Sequence, residues 1–102
     1  MSGSDGLTMQ VDVLLPGVLR EHAGGADELR LTLPDDCDVT GAVAVMAQEW
    51  PALGRRLRDE TGALRRHVNL FVDGDDVRAL QGPRTVLRNG SVLHVLPSVA
   101  GG

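Results

Sequence analysis

His67-Val68-Asn69-Leu70-Phe71-Val72-Asp73-Gly74 carries the plainest local pattern in this chain. Val68, Leu70 and Val72 alternate with Asn69 and Phe71, the period of a strand with one buried face, since successive side chains of a strand point to opposite sides. Asp73-Gly74 then supplies a dipeptide that tolerates the positive φ angles of a two-residue hairpin turn. The return is expected to begin at Val77. The same parity sets Phe71 on the face away from the core.

Toward the N-terminus, two further stretches show the same period. Met9, Val11, Val13 and Leu15 alternate with Gln10, Asp12 and Leu14, so the segment 9–15 reads as a strand with Leu14 on the face opposite the core. Pro16-Gly17 interrupts it, and His22-Ala23-Gly24-Gly25 reads as a connecting loop. Leu29, Leu31 and Leu33 alternate with Glu28, Arg30 and Thr32 up to Pro34, a second strand expected to pair antiparallel with the first.

Between these hairpins the period changes. Val39, Val43, Met46, Ala47 and Trp50 recur at the spacing of one helical face, behind Asp38 or Thr40 as N-cap. Pro51 ends that helix or kinks it, because proline lacks the N–H and clashes with the preceding turn. Leu53 and Leu57 suggest a short continuation with Arg55, Arg56 and Arg58 facing solvent. Residues 79–90 read as loop with short helical turns, punctuated by Gly82-Pro83 and Asn89-Gly90. A last strand follows over 91–96, with Leu93 and Val95 inward.

Strand, strand, helix, strand, short strand, strand is an α+β order with the main helix across one sheet face. Setting the first and last strands parallel at the sheet centre gives a ubiquitin-like β-grasp with a mixed sheet of four to five strands. Residues 1–8 are a flexible lead-in, 9–96 the β-grasp domain and 97–102 an extended tail. At 102 residues the chain fits one domain, burying roughly 60–65% of its unfolded surface.

Composition narrows the chemistry. Hydrophobic residues make up 42% of the chain, yet Trp50 and Phe71 are its only aromatics, so the core is aliphatic and a deep aromatic-lined pocket is not expected. A net charge of −4 argues against the basic stripe that nucleic acid attracts. All ten basic residues are arginine, and lysine is absent. No apolar run reaches the length of a bilayer span and no signal-peptide h-region is present. The single cysteine, Cys37, excludes an intramolecular disulfide, so a reducing, cytoplasmic setting is the expectation.

Conventional sites do not assemble. His22, His67 and His94 lack paired spacing, and metal ligation would need a convergence that nothing in the sequence signals. Cys37 sits in Asp35-Asp36-Cys37-Asp38, where negative charge disfavours the thiolate. The acidic clusters at 35–38 and 73–76 lack EF-hand spacing and read as turns and a cap. Arginines at 55–58 and 65–66 are a solvated face or a docking site for an acidic partner.

What remains is the C-terminus. Pro97 ends the last strand because it cannot donate to the ladder. The six residues Pro97-Ser98-Val99-Ala100-Gly101-Gly102 could reach roughly 20 Å when extended. Gly101 and Gly102 lack Cβ atoms, fit a narrow channel and let another backbone approach. The Gly102 carboxylate is the candidate reactive group, with Gly101, Ala100, Val99 and Pro97 delivering it; the alternative is a disordered tail that happens to end in glycine. Phe71 and Leu14 are candidate docking residues beside the tail, either as an exposed apolar patch or buried under a loop.

Three blocks carry a family resemblance over residues 9–102: Val68-Asn69-Leu70-Phe71-Val72-Asp73-Gly74-Asp75-Asp76-Val77-Arg78, Asn89-Gly90-Ser91, and Leu96-Pro97-Ser98-Val99-Ala100-Gly101-Gly102. The chain resembles the MoaD/ThiS family of small sulfur carriers serving molybdopterin, thiamine and cysteine biosynthesis, and looks most like the cysteine-type (CysO-type) members. The resemblance implies that an E1-like adenylyltransferase, using ATP and magnesium, adenylates the Gly102 carboxylate, and that a sulfur donor converts it to a thiocarboxylate. This would then attack an electrophile on a downstream enzyme, pyridoxal-phosphate dependent in the cysteine branch. The chain itself would bind no cofactor or metal, would turn nothing over alone, and is expected to be monomeric when free. A ubiquitin-like modifier conjugated through the same glycine, or a molybdopterin synthase small subunit, are the alternatives.

Overall fold

The structure is a computed structural model and describes residues 7–97. Its chain order is β1 (Thr8–Leu14), α1 (Gly17–Arg20), β2 (Glu28–Pro34), α2 (Val39–Glu49), α3 (Pro51–Leu57), β3 (Val68–Val72), β4 (Asp75–Asp76) and β5 (Val92–Pro97). The five strands form one sheet in the order β2-β1-β5-β3-β4. β1 and β5 are parallel at its centre, while β1–β2, β3–β5 and β3–β4 are antiparallel. This is the mixed β-grasp sheet that the element order implied.

Period-2 parity places the core. Met9, Val11 and Val13 of β1, Leu29, Leu31 and Leu33 of β2, Leu70 and Val72 of β3, and Leu93 and Val95 of β5 are all buried. They pack against Val39, Ala42, Val43 and Met46 of α2 and Leu53 and Leu57 of α3. Asp38 rather than Thr40 is the N-cap: its Oδ1 accepts from the Gly41 N–H at 2.8 Å, satisfying one of the helix's unpaired donors. The Thr40 hydroxyl donates instead to the Pro83 carbonyl at 3.0 Å.

Pro51 both ends α2 and starts α3. Trp50 leaves the helical region (φ −131°, ψ 83°), and Pro51 takes a first-turn position where its missing N–H costs nothing. The Trp50 N–H still donates to the Met46 carbonyl and its own carbonyl accepts from Gly54, so the bend loses little hydrogen bonding. Gly54 is buried where α3 crosses α2: a Cβ there would lie 2.5 Å from the Ala47 Cβ.

Three local expectations are corrected. The β1–β2 connection is no simple loop, because α1 and a 3-10 turn over Glu21–Ala23 fill it and bury Ala23. The hairpin return is Asp75–Asp76, and Val77 instead opens a 3-10 turn (Val77–Ala79) that buries its side chain. β5 runs one residue further than expected, to Pro97. The Asp73-Gly74 turn is as expected, with both residues at positive φ (50° and 93°).

Candidate functional site

The tail residues Val99, Ala100, Gly101 and Gly102 lie outside the described residues. The structure does fix the point from which the tail departs. β5 is flanked by β1 over Val92–His94 only and by β3 along its length, and Pro97, its last residue, pairs with Val68 at the start of β3. The root of the tail is thus held on one side, by β3, beyond the stretch where β1 also flanks β5.

The β5 register is pinned at its other end. The Asp73 N–H donates to the Val92 carbonyl at 2.9 Å, and the Asp73 carboxylate accepts from the Val92 N–H at the same distance. Asn89-Gly90 performs the same service toward β1: the Asn89 side chain accepts from the Gln10 N–H, and the Gly90 N–H donates to the Gln10 carbonyl. A slip of one residue would reverse every side chain of β5, so these turn residues decide which of its faces meets the core.

With that register, Leu14 and Phe71 come together. Leu14 of β1 and Phe71 of β3 are both direct neighbours of His94 of β5, forming a lateral row on the sheet face away from the helices. All three are half-buried, and neither Leu14 nor Phe71 belongs to the core cluster. Glu28 and Asp76 close the row at its two edges. Two large apolar side chains around a histidine, with charged residues at the rim, fit the anatomy of a protein-binding face. His94 is the member that sequence reading missed as part of this row. The parity of β5 could have found it once the parallel β1–β5 register was assumed.

The histidines are not as scattered as the sequence suggested. His22, beside α1, and His67, just before β3, line one cleft with Arg55 and Arg56 of α3 and Arg65. Tertiary folding alone brings these segments together. Among the described residues no group of three or more His, Cys, Asp or Glu is arranged to hold a metal ion.

Other titratable groups act structurally. Burial first, and the charge of Asp38 second, push the Cys37 thiol up from its ordinary value, which suppresses the thiolate a nucleophile needs. The Asp59 carboxylate accepts from the Thr61 hydroxyl and N–H and from the Ala63 N–H. Those bonds hold it below the usual carboxylate range, the Thr61 hydroxyl foremost. Asp76 is held down likewise by the side chain and then the N–H of Arg78.

Comparison with known proteins extends these observations into the tail. The family model described as the ThiS family matches residues 13–102. A sulfur carrier protein, CysO of Mycobacterium tuberculosis, is 35% identical over 97 residues, covering 92% of this chain and all of that protein. Among solved structures, small archaeal modifier protein 1 of Methanosarcina acetivorans superposes with a TM-score of 0.78 at 30% identity, covering 93% of this chain and 98% of that one. A chain of the Amycolatopsis orientalis BexX/CysO complex does so with a TM-score of 0.77 at 30% identity, covering 90% and 99%. By sequence and by its ubiquitin-like β-grasp architecture, the chain belongs to the ThiS family.

Proposed function

We propose that the chain is a sulfur carrier whose reactive group is the Gly102 carboxylate. An E1-like enzyme with ATP and magnesium joins that carboxylate to the α-phosphate and releases pyrophosphate. The acyl adenylate so formed replaces a poor electrophile with one bearing a good leaving group. A sulfur nucleophile then displaces AMP and leaves a C-terminal thiocarboxylate, a soft anion that attacks an electrophile held by a downstream enzyme. Hydrolysis of the product restores the carboxylate.

The observation that carries this reading is the family match, which extends through Gly101-Gly102, on a chain whose tail root belongs to the strand that sets His94 between Leu14 and Phe71. The two glycines suit a narrow active-site channel, and Val99 and Ala100 are small enough to follow. Leu14, His94 and Phe71 are the face on which the adenylating enzyme docks. The acceptor is of the cysteine type, pyridoxal-phosphate dependent, or makes a related sulfur-containing metabolite.

Similarity to an archaeal modifier keeps a second reading in view, transfer of the activated glycine to an amine of another protein. Because this chain has no lysine, it cannot build lysine-linked chains on itself. A single experiment addresses both. The protein is incubated with its adenylating enzyme, ATP and sulfide, and its intact mass is taken beside a variant lacking Gly101-Gly102. Replacement of one oxygen by sulfur in the full chain alone is expected. A full chain that keeps its mass, or is recovered joined to other proteins, refutes the carrier reading.

A further inference from the structure

Arginine is pooled on one side of an acidic chain. The whole protein carries 14 acidic and 10 basic residues. Yet His22, Ala52, Arg55, Arg56, Arg65 and His67 line a cleft of about 490 Å³ without a carboxylate among them. Arg65 is braced there by a hydrogen bond from its Nε to the Arg55 carbonyl, 2.9 Å. Among the described residues, Arg55, Arg56 and Arg65 make no ion pair. Arg55 and Arg65 also line an adjoining hollow that holds Arg58, Asp59 and Glu60, where the Arg65 charge helps to hold the Asp59 carboxyl down. Glu21, at the edge of the cleft, is 3.7 Å from His22.

The cleft has an apolar extension. His22, Arg56 and His67 also border a hollow of about 290 Å³ lined by Leu19, Val68, Val95 and Leu96, with Glu21 on its wall as well. Val68 is the strand partner of Pro97, so this hollow lies at the root of the tail. The arrangement is a groove that is apolar where the tail departs and cationic farther out. Arginine suits such a place because its planar fork binds a carboxylate in two parallel hydrogen bonds.

The structure assigns this groove to an acidic segment of the enzyme that takes up the tail, one apolar side chain entering the hollow and carboxylates reaching Arg55, Arg56 and Arg65. The assignment rests on the carrier reading for the identity of that enzyme, and on pooled charge and continuity with the tail root for the chemistry. Any protein that holds Gly102 must pass within a few residues' length of this groove. Pooled like charge is unfavourable in the free protein and is relieved when a counter-charge docks, which raises association rate and selectivity.

Two measurements test it on the full chain. In the first, hexaglutamate is titrated while the arginine Nε and histidine ring signals are followed by NMR, with hexaglutamine as control. Saturable shifts confined to Arg55, Arg56, Arg65, His22 and His67 are expected, lost in the Arg55→Glu/Arg56→Glu variant and unchanged when residues 98–102 are removed. Shifts spread equally over Arg30, Arg78, Arg84 and Arg88, or binding that appears only after the tail is removed, overturn the assignment; the latter would make the tail itself the occupant.

In the second, thiocarboxylate formation is timed with the adenylating enzyme. Arg55→Glu/Arg56→Glu should raise KM about tenfold at low salt with kcat unchanged. The difference should fade at about 0.5 M salt, where screening shortens to roughly 4 Å. An unchanged KM in a variant that melts like the parent overturns the assignment. Wild-type protein that never gains sulfur defeats the carrier reading instead, and leaves the peptide titration to stand on its own.

Discussion

Replacing Gly54 by Ala tests how the helical layer is built. Gly54 lies in α3 with helical backbone, so an alanine there is conformationally welcome and on propensity alone would stabilise by about 1 kcal/mol. Packing decides otherwise. The added Cβ would lie 2.5 Å from the Ala47 Cβ and 2.7 Å from the Ala47 Cα, against ordinary carbon contacts of about 3.5–4.0 Å. Neither atom is the end of a flexible side chain, so the helices must separate by roughly 1 Å or α3 must tilt. Overpacking of this kind costs about 1–3 kcal/mol, and the involvement of backbone puts it near the top of that range.

The net expectation is a loss of about 2 kcal/mol, or about 10 °C in melting temperature for a domain of this size. The assay is a double-mutant cycle by urea and thermal unfolding, followed by far-ultraviolet circular dichroism. Ala47→Gly alone should cost about 1 kcal/mol in helix propensity. The swap Ala47→Gly/Gly54→Ala removes the Cβ–Cβ contact and exchanges the two propensities but keeps the 2.7 Å approach to the residue-47 Cα, so it should recover about half of the loss. The implied coupling is about 2 kcal/mol, within the range for residues in contact. Gly54→Ala protein that melts at or above the parent would refute the reasoning, and so would a swap no more stable than the single variant.

Other expectations follow from single contacts. Asp38→Ala removes the α2 cap and should destabilise by about 1 kcal/mol in urea, while Asp38→Asn or Ser should recover most of that loss. Phe71→Ala lies outside the core cluster, so it should cost less stability than Leu70→Ala yet weaken binding of the adenylating enzyme about tenfold or more, as read by calorimetry. Arg78→Ala should raise the Asp76 pKa toward its ordinary value in a carbon-13 NMR titration, because the Arg78 side chain is the main cause of its depression. A depressed folded pKa stabilises above the unfolded pKa, and that contribution disappears as pH falls through the folded value. In the parent, the small contribution of Asp76 should therefore be lost only below the usual carboxylate range, and in Arg78→Ala it should be smaller, because the residue-78 N–H still donates to the carboxylate.

Alternation in 9–15, 29–33, 68–72 and 93–95, with a helical period over 39–50, was enough to name the strands, the main helix and nearly all of the core. Burial on one face leaves its period in the sequence directly. Asp73-Gly74 and Pro51 were equally legible, because their effects on φ and on N–H donation are local. The α1 turn and the Asp75–Asp76 return were not legible, since short elements carry too few residues to show a period and are settled by what they cap.

Only the tertiary structure joined segments distant in the chain. Leu14, His94 and Phe71 become one row through the parallel β1–β5 and antiparallel β3–β5 registers, and a register is a relation between strands that no single segment contains. The groove of His22, Arg55, Arg56, Arg65 and His67 draws on three separate stretches, so the histidines read as unrelated until α3 folded beside the start of β3. Local periodicity thus determined what each segment is, while long-range packing decided which side chains stand together where the tail leaves the sheet.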